Sequence, residues 1–71
     1  MMRQNERFYL SEWEVWACAH AIDQMHRDAA DQFIERRLQD LERVGDDRGY
    51  ANWRAIGRRL RQLRERERAL Q

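Results

Sequence analysis

No proline interrupts the 71 residues of this chain, and its only glycines stand at 45, 49 and 57. Proline is the residue that most reliably breaks a helix. Here its absence coincides with apolar residues recurring every three or four positions and with no strand-type alternation. These features predict an all-α fold, a small three-helix bundle with a long C-terminal helix.

Local signals place the helices. Ser11 followed by Glu14 forms a capping box, and Leu10 with Val15 has the spacing of a hydrophobic staple. Val15, Cys18, Ala19, Ile22 and Met25 then form one face of a first helix that ends near residues 25 to 27. Trp13 and Trp16 lie on a neighbouring stripe. Asp28 is the expected cap of a second helix, whose apolar face is Ala30, Phe33, Ile34, Leu38 and Leu41. Gly45 fits its left-handed terminator. Asp46 or Asp47 then caps a third helix with Trp53, Ile56, Leu60, Leu63 and Leu70 as its seam and Tyr50 extending that face. At 1.5 Å per residue the helices span ~24, ~24 and ~35 Å. The third therefore overhangs the others by about two turns.

A chain this short forms one domain, expected as a flexible arm over residues 1–10 and a single helical domain over 11–71. Its core needs support from close helix packing or self-association. An internal disulfide is excluded, because Cys18 is the only cysteine. No window approaches the ~20 apolar residues of a membrane span, and the first ten residues lack the apolar segment of a signal peptide. A cytoplasmic setting is expected, with no membrane association. All 14 basic residues are arginine, a usage that fits a GC-rich bacterial or phage genome.

Enzymatic chemistry finds no constellation here. Cys18, His20 and His26 supply at most three ligands where a structural zinc site needs four. Residues 18 and 20 also point apart on a helix. A cysteine nucleophile would need a base, an orienting group and a pocket. Cys18 reads instead as a small core residue. No catalytic residue, metal or cofactor is assigned, and the chain is expected not to be an enzyme.

Charge is distributed unevenly along the chain. Residues 53–71 carry seven arginines against Glu65 and Glu67, whereas residues 1–52 carry seven arginines against eleven acids. Arg54, Arg58 and Arg61 recur down one side of the third helix, with Arg64 beyond them. The turn at 45–47 has the length of a helix-turn-helix connection. Both flanking helices are long for that motif, however, and an apolar face as continuous as that of the third helix demands burial. The arginine side then serves phosphate contact without base reading, or a solvated face with pairs such as Arg61 and Glu65. Gly57, in mid-helix, costs about 1 kcal/mol relative to alanine. Either the site tolerates that cost or a bulky group approaches closely, with Trp13 or Trp16 as candidates. Trp53 is expected in the core. Trp13 and Trp16 cannot both be fully buried, which leaves one of them for a surface where tryptophan often anchors a partner.

Trp16 to Ala19, Ile22, His26, Phe33 to Arg37, the Gly45–Gly49 turn, and Trp53 with Ile56, Arg59 and Leu63 together resemble a family of short alphaproteobacterial proteins of unknown function. The likeness covers about residues 12 to 64. It departs at Arg27, where that family commonly has glycine. The resemblance implies a helical fold and a bacterial or prophage source, and it implies no reaction.

The chain is therefore expected to be a small non-enzymatic protein-interaction module, in the manner of a regulator or a mobile-element-encoded inhibitor of a host system. Its candidate contacts are Trp13, Trp16, Arg54, Arg58, Arg61, Arg64 and Leu70. The alternative is a nucleic-acid-binding protein that uses the arginine-rich third helix. Homodimerisation through Leu63 and Leu70 is compatible with either.

Overall fold

The computed structural model describes residues 9–70, which are all-helical with no strand and end in a long helix. The first helix, α1, spans Glu12–His26. A single 3-10 turn, Arg27–Ala29, leads directly into α2, Ala30–Val44. After a tight turn the long helix α3 runs over Asp47–Ala69.

The termini form where local chemistry directs them. The Ser11 side chain accepts from the Glu14 amide at 3.2 Å, and the Glu14 carboxylate accepts from the Ser11 amide at 2.8 Å. This capping box satisfies two donors that the first turn leaves free. At the other end of α2, Gly45 takes the left-handed conformation with φ 76°, which glycine enters without a Cβ clash. Asp46 then caps α3 by accepting from the Gly49 amide at 2.9 Å.

The start of α2 differs from the sequence expectation. Asp28 lies inside the 3-10 turn, and the N-cap is Ala29, with no side-chain hydrogen bond. The backbone supplies the missing partner, because the Ala30 amide donates to the Arg27 carbonyl. With scarcely any break between α1 and α2, a carboxylate cap is not needed there. The reversal is concentrated at Arg27 instead, with φ 47° and ψ −119°. That region is strained for any residue with a Cβ.

Contacts along the helices define their directions. Ile34 faces Gly57, Phe33 and Arg37 meet Trp53, and Asp31 approaches Arg64. Later residues of α2 thus meet earlier residues of α3, so the two form an antiparallel hairpin. The start of α1 meets α3 near its first half, through Leu10 with Asn52 and Glu12 with Arg59. The end of α1 meets it further on, through Asp23 with Arg64. Consequently α1 runs alongside α3 in the same general direction.

All three helices contribute to the core. Val15, Ala19 and Ile22 come from α1, Ala30 and Ile34 from α2, and Ile56 and Leu60 from α3. Leu60 is fully buried. Leu10, Cys18, Phe33, Leu38, Trp53 and Leu63 pack partly buried around this cluster. Trp53 therefore lies at the rim of the core and not at its centre. Phe33 meets its ring edge-on at 5.8 Å and the Arg37 guanidinium lies over it. Gly57 does serve a close approach, but the approaching group is Ile34, whose Cγ2 would lie 3.3 Å from an added Cβ. The tryptophans of α1 are not involved, because α2 and not α1 covers that side of α3.

The arm expected over residues 1–10 falls mainly on residues 1–8, which lie outside the described residues. Leu10 is half-buried, and its amide donates to Asn52 Oδ1 at 3.0 Å.

Candidate interaction surfaces

The seven candidate residues do not converge on one site. The structure distributes them over three settings: the outer side of α1, the α1–α3 seam, and the solvent-facing side of α3.

Trp13 and Trp16 separate as their spacing requires. Trp16 is half-buried in the seam, with the Arg59 guanidinium 5.2 Å above its ring. The same guanidinium donates to Glu12 and, at 3.2 Å, to Gln62. Trp16 is thus a structural residue. Trp13 is 76% exposed.

Beyond Trp13 the structure places a surface that the sequence reading did not identify. Met25, expected on the core face, is 72% exposed. Three residues past Ile22, it rotates off the edge of the buried face instead of continuing it. Residues 13, 17, 21 and 25 follow one another at four-residue intervals, and all four are exposed. Trp13, Ala17, Ala21 and Met25 therefore form a continuous apolar ridge along α1. Ala19, on the opposite side of the helix, is fully buried. One long side of α1 is closed by the protein, and the ridge on the other side is open. The signal was present in the sequence as the four-residue spacing of Trp13, Ala17, Ala21 and Met25, but Met25 also continues the spacing of the inner face, and only packing decides which side it joins.

Arg64 belongs to the protein's own architecture. Its Nη2 donates to Asp23 Oδ1 at 3.2 Å and to the Arg27 carbonyl, and its Nη1 lies 3.9 Å from Asp31 Oδ2. Asp23 is the buried charged residue of the described chain. One guanidinium thus joins α3 to the end of α1, to the strained turn and to α2. An arginine provides the several donors that such a junction needs.

Arg54, Arg58 and Arg61 remain exposed and make no ion pair among the described residues. The expected pair of Arg61 with Glu65 is absent among them too. The three line a shallow groove between α2 and α3 whose floor is Ile34, Leu38 and Gly57, with Asp31 and Glu35 on the facing wall. Gly57 lowers the floor by removing a side chain. Leu70 is 86% exposed at the end of α3, where residues 65–70 are all exposed. Leu63, paired with Leu70 in the expected dimer seam, is half-buried against the core instead.

No group of three or more His, Cys, Asp or Glu among the described residues is placed to hold a metal ion. No described helix is long and apolar enough to cross a membrane.

Residues 11–68 match a family of unknown function, DUF6961. The chain belongs to that family. The matched segment begins at the Ser11 cap and ends two residues before Leu70, so it takes in α1 and α2 whole and nearly all of α3. Neither the curated proteins nor the solved structures contain a significant match.

Proposed function

We propose that this chain is a small non-enzymatic protein-interaction module, built as a three-helix bundle, that docks a protein through the outer ridge of α1. The observation that carries this reading is the exposed Trp13 at the head of a continuous apolar ridge. Soluble domains rarely leave such ridges open without a use for them, and tryptophan is prominent among the residues that anchor protein interfaces. A cytoplasmic setting accompanies the reading, supported by the single unpaired Cys18.

A second reading rests on Arg54, Arg58 and Arg61. Three exposed guanidinium groups without internal ion pairs suit an anionic backbone such as nucleic acid. Asp31 and Glu35 on the facing wall oppose it, because they repel the same ligand.

Photo-crosslinking residues placed singly at 17, 58 and 39 test the two readings in the native cell. Interaction through α1 predicts protein adducts from position 17 and none from position 39, an exposed site on α2. Nuclease-sensitive adducts confined to position 58 would favour the arginine row. Equal adducts from all three positions, or none from 17, would overturn the α1 reading.

A further inference from the structure

We propose that the α1–α2 turn is a hinge that opens, so that α1 of one copy of this chain packs on the α2–α3 hairpin of a second and the two form an exchanged dimer. The inference is independent of what docks on the outer ridge of α1, because that ridge faces outward in both forms.

The two chain reversals of the fold are built differently. Gly45 makes the α2–α3 reversal at φ 76°, a conformation that glycine enters freely. Arg27 makes the α1–α2 reversal at φ 47° and ψ −119°, and it is the one non-glycine residue with positive φ among the described residues. Its neighbours already lie in or near the helical region. His26 has φ −114° and ψ −13°, Ala29 −91° and 4°, and Ala30 −63° and −40°. Neither glycine nor proline occurs between residues 12 and 44. Rotation at Arg27 into the helical region therefore joins α1 and α2 into one helix ~50 Å long, and it removes the strain.

The straightened helix keeps its buried faces in phase. Val15, Ala19 and Ile22 are the buried apolar residues of α1, and Ala30 and Ile34 are those of α2. With His26 between them, positions 15, 19, 22, 26, 30 and 34 follow at intervals of three or four, the spacing of one continuous helix stripe. Two such helices side by side and antiparallel set α1 of each against α2 of the other, as α1 and α2 are set within one chain.

With α1 extended away from its own hairpin, Ile56 and Leu60 lose their cover, and α1 of the second copy restores it. The pairs of Glu12 with Arg59 and Asp23 with Arg64 then form between chains with unchanged partners. The contact specific to the closed turn is that of Arg64 with the Arg27 carbonyl. In the open helix that carbonyl accepts from the amide four residues on. Exchange of an identical element is a low-cost route to a dimer because it reuses the contacts of the monomer, and a short connection under strain favours it.

Sedimentation velocity of the purified full chain, after refolding over a wide range of concentrations, reads the two forms. The expected result is a monomer together with a dimer that grows with concentration and dissociates slowly on dilution, since α1 must unpack before it can return. Arg27 is exposed, and Arg27→Gly accommodates the closed turn without strain. It should lower the dimer fraction several-fold at equal concentration. Topology is read in a Cys18→Ala background, by refolding Glu12→Cys chains together with Arg59→Cys chains. Exchange brings these two positions together between chains, so the mixture should form a disulfide-linked dimer several-fold faster than either kind alone.

A monomer at every concentration would overturn the inference. So would a dimer fraction that Arg27→Gly leaves unchanged. Cross-linking no faster in the mixture than in each kind alone would also overturn it, because it would mean that intact bundles associate without exchanging α1.

Discussion

α1 and the α2–α3 hairpin solve the same problem in opposite ways. In the hairpin each helix has one apolar face and one charged face. The apolar faces meet, with Ile34 over Gly57 and Phe33 against Trp53, and arginines and acids face water. α1 is covered on one side and exposes an apolar line among Glu14, His20 and Gln24 on the other. Its inner face completes the core through Val15, Ala19 and Ile22, while its outer face leaves Trp13 and Met25 in solvent. The apolar faces of α2 and α3 are matched to each other, whereas α1 keeps Trp13 and Met25 outside the match.

The two regions meet at Leu60. Leu60→Ala empties the best-buried position of the shared core and should destabilise the chain by about 2–5 kcal/mol. Thermal unfolding followed by circular dichroism should show a transition lowered by many degrees or lost. A small shift would mean that α1 and the hairpin do not share one core.

Arg64→Ala removes the junction without emptying the core. It leaves the Asp23 carboxylate and the Arg27 carbonyl without that donor, at a cost of about 1–3 kcal/mol. Hydrogen exchange should locate the loosening at the end of α1 and in the 3-10 turn. Uniform loosening of the hairpin would instead place the junction's main role in α2.

Arg27→Gly acts in the stabilising direction. At φ 47° and ψ −119° glycine relieves a strain that any side chain incurs, and the expected gain is about 1 kcal/mol in denaturant unfolding. A loss would mean that the Arg27 side chain contributes more than its backbone strain removes.

Trp13→Ala is the smallest effect on stability, within about 0.5 kcal/mol. The same substitution should be among the most damaging to association through α1. A large loss of stability would show that Trp13 packs internally and that α1 has no open face.

The fold was largely legible because its punctuation is local. The Ser11–Glu14 box, the Gly45 terminator and the Asp46 cap each act within a few residues, so the helix ends follow from short stretches of sequence. The surfaces were less legible. Arg64 sits in the same arginine run as Arg58 and Arg61, and nothing in that run distinguishes the cation that reaches Asp23 and Arg27, 41 and 37 residues away, from those that face solvent. Asp28 looked like a cap because an acid before an apolar run usually is one, but the preceding turn already supplied the carbonyl that α2 needs.

Residue pattern alone thus places the helices, the start of α1, the turn between α2 and α3, and the apolar face of each helix apart from Met25. Tertiary structure alone decided that Met25 leaves the inner face of α1, which group fills the space left at Gly57, and which arginine becomes structural. The reason is physical. Capping and turn conformation are settled between neighbours in the chain, whereas the edge of a buried face and the partner of a long side chain are settled by whatever surface packs opposite.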